Sequence, residues 1–466
     1  TNCTNGPGIM IKNVYFLGIG GIGMSALARY YKNAGAVVAG YDLTASSLTG
    51  QLESEGIDVH YSDDPHLIPE DFRKDPDHSL VIYTPAVPAD HKELLWLREN
   101  GFDIIKRSVA LGRIAKDHKT LAVAGTHGKT TTSTLLAHIM QVSGTGCTAF
   151  LGGISKNYRS NLLLSDNTFL VAEADEYDRS FLQLFPQTAL ITSADADHLD
   201  IYGSHRAVKE AFAQFAAQIA PGGSLVLKKG VKLPLSLPRT ISCFTYHYDT
   251  PCDFYATRHH IGEGGIFSFD LVLQDTLLKD CQLGIPGRIN VENAVGAAAL
   301  AYLNGVSAKA IKEALSSFRG VARRMDVQYH TKRYCYIDDY AHHPREIQAA
   351  VQSVREWFPR ETITGIFQPH LYSRTRDFAR EFARSLDLLD RVILMPVYPA
   401  RELPIPGVGA ETIAKYLNVE EKEILDATKV IECIKKYKPR VLVTLGAGNI
   451  DRLVQPIREC LKEMDV

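Results

Sequence analysis

Short apolar runs alternate with helix-like stretches from residue 11 onward. NVYFLGIG reads as a buried strand running into a glycine turn, MSALARYYKNAG as a helix, AVVAGYD as the next strand and SLVIYTP as a later one. Strands that alternate with helices predict a parallel, doubly wound sheet. The polar segment RIAKDHKT interrupts the pattern and leads into a new apolar strand, LAVAG, so a boundary is placed at 118. Beyond it, TFLVAEADE and TALITS read as strands and RAVKEAFAQFAAQIA as a helix, whereas 230–286, rich in turn residues and β-formers, predicts added antiparallel strands. After SSFRGVARRMD the alternation starts again with YCYIDD, TITGIFQ, DRVILMPV and RVLVTLGAG, a third α/β block. The expected fold class is α/β in three domains. Residues 1–118 form a Rossmann-like domain, 119–320 a parallel sheet plus a smaller antiparallel sheet, and 321–466 a second Rossmann-like domain. Residues 1–9 are assigned no element.

Composition narrows the class. A chain of 466 residues exceeds one ordinary core, and its 45% hydrophobic and 22% charged content is that of a globular protein. Lys plus Arg total 51 against 53 acids, a net of −2, so no bulk attraction to nucleic acid or anionic lipid is expected and any polyanion must be held locally. The eight cysteines are scattered with no C-x-x-C pair, which argues against a zinc knuckle or a disulfide framework and predicts reduced thiols in a cytoplasm. The uncharged run 13–28 is short for a membrane span and broken by glycines.

Two loops carry phosphate chemistry. In GIGGIG, Gly18, Gly20 and Gly23 have G-x-G-x-x-G spacing after a strand and before a helix, with Gly21 and Ile22 inside the turn. Such a turn brings backbone amides to a pyrophosphate at a helix N-terminus, and Asp42, ending the next strand, lies where an acid would meet a ribose hydroxyl. NAD, another nucleotide, or simply a tight turn all fit these residues. The second loop, VAGTHGKTT, is more specific. Gly125, Thr126, His127, Gly128, Lys129, Thr130 and Thr131 supply amides, a lysine for the β- and γ-phosphates and a hydroxyl for magnesium. Val123 stands where the usual pattern has its first glycine, a position expected at the strand end, outside the cradle.

A phosphate loop needs an acid that shares the magnesium. Glu173 follows a strand in FLVAEADEYD, and Asp195, Asp197, His198 and Asp200 follow another in SADADHLD. Glu173 and His198 are favoured, and the outer acids, Asp175, Glu176 and Asp178 among them, read equally well as solvated loop residues. The third block adds DDYAHHP and FQPHLYSRTRDF, whose arginines and histidines suit a carboxylate or a phosphoryl group in transfer. Individually, His342 or His343 is more often structural, and the pair Arg323 and Arg324 fits a linker cap equally well.

Taken in order, GIGGIGMSALA, AGTHGKTTT, EADEYDRSF, DADHLDIYG, GRINVENA, VARRMDV, DDYAHHP, FQPHLYSRTRDF and GAGNID resemble the Mur ligase family over nearly the whole chain. The resemblance implies a UDP-sugar domain at the N-terminus, which displaces NAD, a P-loop ATPase-like central domain and a C-terminal amino-acid domain. It implies that ATP phosphorylates the carboxylate of UDP-N-acetylmuramate and that the amine of L-alanine attacks the acyl phosphate. By the same resemblance, Lys129 steadies the γ-phosphate, Thr130 and Glu173 bind one magnesium and His198 a second. Asn293 meets adenine, Arg324 approaches the phosphates, and Tyr340, His370 and Arg374 surround the amino acid. The family often has histidine where this chain has Ile289, and arginine where it has Leu371, which puts the acceptor pocket in question.

Two alternatives stay open at this stage. One is a ligase of the same family that adds an intact tripeptide. The other is a nucleotide-binding regulator without turnover, which the retained Lys129, Thr130, Glu173 and His198 oppose. Small-molecule substrates, neither nucleic acid nor membrane as partner, a monomer or homodimer, and domain closure around the substrates are expected.

Overall fold

A computed structural model describes residues 4–5, 9–195, 199–262, 265–400 and 402–465. The chain divides into two compact units. Residues 1–257, 270–281 and 293–318 make the first, and 258–269, 282–292 and 319–466 the second. Thr4–Asn5, in the 1–9 stretch assigned no element, pairs with Ile9–Met10 at its end as a short antiparallel ladder.

The first unit opens with a five-stranded parallel sheet in the order Asp58–His60, Val37–Tyr41, Asn13–Leu17, Ser79–Tyr83, Asp103–Lys106. Asn13–Leu17 is buried throughout because both faces of the sheet are covered. Val14 and Phe16 join one core cluster and Tyr15 and Leu17 another, as strand alternation requires. The strand order reverses beside Asn13–Leu17, so the glycine turn at 18–23 leaves the sheet at its switch point, where doubly wound folds bind ligands.

The central sheet has ten strands. Lys119–Ala124 lies in its interior, paired in parallel with Phe169–Ala174 on one side and Thr188–Ile191 on the other. Val123 is level with Glu173 and Leu190 and fully buried, so position 123 belongs to the strand and the phosphate turn starts at Gly125. Ser224–Lys228 and Ser242–His247 continue the parallel pairing. The turn-rich stretch ends in Phe254–Ile261, Phe267–Leu273 and Thr276–Leu283, which extend the edge of this same sheet.

In the second unit a six-stranded sheet runs Asp326–His330, Cys335–Asp339, Val441–Leu445, Ile363–Phe367, Arg391–Leu394, Glu421–Ile424. All its pairs are parallel except the first. Cys335–Asp339 and Ile363–Phe367, both fully buried and both parallel to Val441–Leu445 between them, end in the DDYAHHP and FQPHLYSRTRDF segments and carry them to the same C-terminal end of the sheet. Among the described residues no helix is long and apolar enough to cross a membrane.

Candidate active site

The phosphate turn is built by backbone geometry. Gly125 has φ +139° and Gly128 φ +77°, conformations that L side chains rarely adopt. A Cβ on Gly125 would collide with Thr192 Oγ1, and one on Gly128 would sit 2.7 Å from Asn293 Oδ1. Asn293, assigned to the adenine from its motif, therefore lies against the turn. Thr192 Oγ1 donates to the His127 carbonyl at 2.5 Å, Ser193 Oγ accepts from the His127 amide at 3.0 Å, and Thr126 Oγ1 accepts from the Asp195 amide at 3.3 Å. The helix Lys129–Val142 starts from Gly128 without a side-chain cap, which leaves its first amides pointing into the turn.

Lys129 Nζ donates to the Gly125 carbonyl and to Glu176 Oε2, both at 2.7 Å, with the two side chains 14% and 2% exposed. Burial works against the ammonium, but Glu176, Asp175 and Glu173 outweigh it and hold its pKa above the usual lysine range. Lys129 is therefore charged and leashed to the turn. Glu173 Oε2 is buried with no hydrogen-bond partner, which suits a carboxylate that waits for a cation. Thr130, in the first turn of the helix, is buried beside the turn. Among the described residues no group of three His, Cys, Asp or Glu forms a ready metal cage. One carboxylate, one hydroxyl and phosphate oxygens are the donor set that magnesium uses. His198, proposed for a second metal, and Asp197 lie outside the described residues.

The acid run resolves residue by residue. Glu176 holds Lys129, Asp175 receives Arg107 at 3.3 Å, and Asp178 receives Lys106 at 2.8 Å. Motif reading left Glu176 open and missed Arg107, the first settled by its grip on Lys129 and the second by its place beside Asp175. The second also reaches the glycine turn, since a Cβ on Gly23 would lie 2.7 Å from its Nη1. In that turn Gly18 has φ +87° and meets the Thr84 side chain. Asp42 Oδ2 accepts from the Gly20 amide at 2.8 Å, so this acid shapes the turn. Gly21 is the N-cap of helix Ile22–Asn33, again with no side-chain cap on the amides of Ile22 and Gly23.

The second unit collects a polar wall. Arg324 lies 5.3 Å from the Tyr340 ring centroid, Tyr340 is 5.3 Å from His342, His342 5.9 Å from His370, and His370 5.6 Å from Tyr398. His370 Nδ1 and Arg374 Nη1 are buried and unpartnered, two nitrogens suited to a carboxylate. Burial, reinforced by His342 and Arg374, pushes the His370 imidazole down to about 4, so it is neutral and Arg374 supplies the charge. Asp339 accepts from the Met325 and Ala341 amides at 2.7 and 2.8 Å, and burial pushes its carboxyl up to about 6 against the pull of Arg324.

Neighbours in sequence part company here. Arg323 donates to Asp338 at 3.0 Å and to the Gly446 carbonyl at 2.6 Å, an anchor rather than a site group. His343 packs on Phe378 at 5.2 Å and precedes the helix Pro344–Trp357, whereas His342 joins the wall. Leu371 adopts φ +70° and its amide is bound by the Tyr398 carbonyl at 2.9 Å, so the residue in the expected arginine position sits at a strained bend. Glu402, another residue missed, accepts from the Ser373 amide at 2.9 Å and from its hydroxyl, one position from Arg374.

Three family models cover the chain: "Mur ligase family, catalytic domain" at 13–119, "Mur ligase middle domain" at 123–301 and "Mur ligase, glutamate ligase domain" at 323–448. A UDP-N-acetylmuramate–L-alanine ligase of Parabacteroides distasonis is 49% identical over 97% of each chain. One from Porphyromonas gingivalis is 50% identical over 97% of this chain and 100% of its own. The crystal structure of UDP-N-acetylmuramate-alanine ligase from Thermotoga maritima superposes with a TM-score of 0.82 at 27% identity, covering 97% of this chain and 99% of that one.

Proposed function

The chain belongs to the Mur ligase family, and from that premise we propose how its residues share the work of an ATP-dependent, ADP-forming ligase that joins L-alanine to the carboxylate of UDP-N-acetylmuramate. This is the first amino-acid addition in peptidoglycan precursor synthesis, and its setting is the cytoplasm. The observation that carries the reading is identity near 50%, end to end, with relatives that bear this activity in their names.

An amine does not acylate itself with a carboxylate in water, so the carboxylate must first be activated. A carboxylate oxygen attacks the γ-phosphorus of ATP, the bond to the bridging oxygen breaks, and ADP leaves with an acyl phosphate formed. The alanine nitrogen then attacks the acyl carbon, phosphate departs, and the amide forms with loss of a proton from nitrogen. In this reading the amides of Gly125–Thr131 hold the β- and γ-phosphates, Lys129 meets the charge that moves during transfer, and Asn293 borders the nucleotide. The glycine turn Gly18–Gly23, with Arg107 beside it, takes the UDP pyrophosphate. Arg374 and neutral His370 take the alanine carboxylate, Tyr340 lines that pocket, and Arg324 contributes charge to the phosphoryl group. Magnesium, shared by Thr130 and Glu173, supplies charge neutralisation on the phosphates when bound.

The tripeptide-adding alternative uses the same activation chemistry, so only the acceptor separates the two. The activation step itself is tested by carrying a heavy-oxygen label in the muramyl carboxylate. Transfer of one labelled oxygen to the released phosphate supports the acyl phosphate. Release of that oxygen as water or on the nucleotide, with none in the phosphate, sinks it.

A further inference from the structure

Away from both phosphate turns, the first unit contains a cavity of about 700 Å³ where helix Ile22–Asn33 meets strand Ser160–Leu163. Arg29, Lys32 and Arg159 bring three cations to it, and Leu162, Leu163 and Leu164 give an apolar shelf, with Leu164 42% exposed. Among the described lining residues Glu55 is the one carboxylate against these three cations, which leaves two positive charges unbalanced. The helix carries the glycine turn at its other end, since Arg29 is seven residues beyond Ile22, about 10 Å along the axis.

A latch joins the two ends. Asn161 is fully buried in the strand, its Nδ2 donating to the Ile22 carbonyl at 2.6 Å and to Ser25 Oγ at 2.9 Å. Its Oδ1 accepts from Arg29 Nη1 at 2.6 Å, while the rest of that guanidinium grips Glu55. One arginine thus lines the cavity and orients the amide that holds the first turn of the helix behind Gly18–Gly23.

We propose that this cavity is a regulatory site for a small phosphate monoester bearing an apolar group. Two unbalanced cations match its dianion, and the leucine shelf matches its apolar part. Phosphate oxygens compete with Asn161 and Glu55 for Arg29. As Arg29 turns to the ligand, Asn161 loses its fixed partner, the first helical turn loosens and the glycine turn binds its nucleotide less well. Linkage makes the effect reciprocal.

The test uses the full chain, with hexyl phosphate and inorganic phosphate as probes at up to about 10 mM, enough to fill a site of millimolar affinity. Calorimetry reads binding independently of turnover, so it stands even if the ligase reading fails. Hexyl phosphate is expected to bind saturably to wild type, at least tenfold more weakly to Arg159→Ala, and at near wild-type strength to Arg159→Lys. In turnover it is expected to raise the KM for UDP-N-acetylmuramate about fivefold or more, with that rise lost in Arg159→Ala. Arg159 is exposed and outside the catalytic set, so its substitution leaves basal kinetics unchanged. Equal binding of both probes, equal binding to wild type and Arg159→Ala, or a KM rise that persists in Arg159→Ala would overturn the proposal.

Discussion

Replacing Arg323 and Arg324 one at a time by methionine should separate fold from chemistry in two adjacent positions. Arg323 pairs with Asp338, a fully buried carboxylate in strand Cys335–Asp339 that also accepts from the Thr444 hydroxyl at 2.6 Å. Removing one member of such a buried pair costs about 3–5 kcal/mol, because the remaining charge is left without compensation. For a unit of this size each kcal/mol moves the melting temperature by about 2–4 °C, so Arg323→Met should melt on the order of 10 °C lower. Arg324 makes neither contact: its place over Tyr340 at 5.3 Å is worth about 0.5–1 kcal/mol at a partly exposed position, and the Asp339 carboxylate on which it pulls keeps its hydrogen bonds from the Met325 and Ala341 amides. Arg324→Met should therefore melt within a few degrees of wild type. It should nevertheless lose about a hundredfold in kcat, as expected when a charge-stabilising donor is removed from phosphoryl or acyl transfer. Calorimetric melting and phosphate-release kinetics on the same preparations give both numbers. A melting loss in Arg324→Met equal to that of Arg323→Met would refute the division, as would an Arg323→Met protein that melts with wild type.

Three other outcomes follow from the geometry. Gly128→Ala places a Cβ 2.7 Å from Asn293 Oδ1 at φ +77°, which costs about 1–2 kcal/mol in backbone strain alone, and steady-state kinetics should show the KM for ATP raised at least about tenfold. Glu173→Gln keeps the fold but removes the unpartnered carboxylate oxygen, so half-maximal activity should need about tenfold more magnesium in a metal titration. Glu93 is fully buried beside Tyr15 and His60, and burial pushes its carboxyl from 4.5 to about 7. The folded chain keeps a proton that the unfolded chain releases near 4.5, so this group's contribution, on the order of 3 kcal/mol, is lost as pH rises from about 4.5 through 7. Urea titrations should show Glu93→Gln with a shallower stability loss over that window. An identical slope in the two proteins would reject it.

The glycine turns and the strands ahead of them were legible because a strand, a tight turn and a helix impose a local pattern that few other structures produce. Val123 could be placed at the strand end from the same logic, and the ladder puts it level with Glu173 and Leu190. Local pattern does not say which of several nearby acids meets which cation. Glu173 and Glu176 are three residues apart in one acid run, yet one has an unpartnered oxygen and the other grips Lys129. The answer depends on Lys106, at the end of a strand of the five-stranded sheet, and Arg107, at the start of the helix after it, arriving to take Asp178 and Asp175. Arg323 and His343 show the same limit. Each is adjacent to a site residue of the same type, and only the partner at Asp338 or Phe378, distant in sequence, decides its role.

The account rests on L-alanine-dependent turnover. The measurement that tests it most directly is phosphate release from ATP and magnesium with UDP-N-acetylmuramate, comparing L-alanine, glycine, L-serine and the tripeptide, with the mass of each product recorded. The account predicts rapid release with L-alanine, the matching product mass and near-complete loss in Lys129→Ala. Release with the tripeptide alone would contradict the acceptor assignment, and no release with any acceptor would contradict the ligase itself.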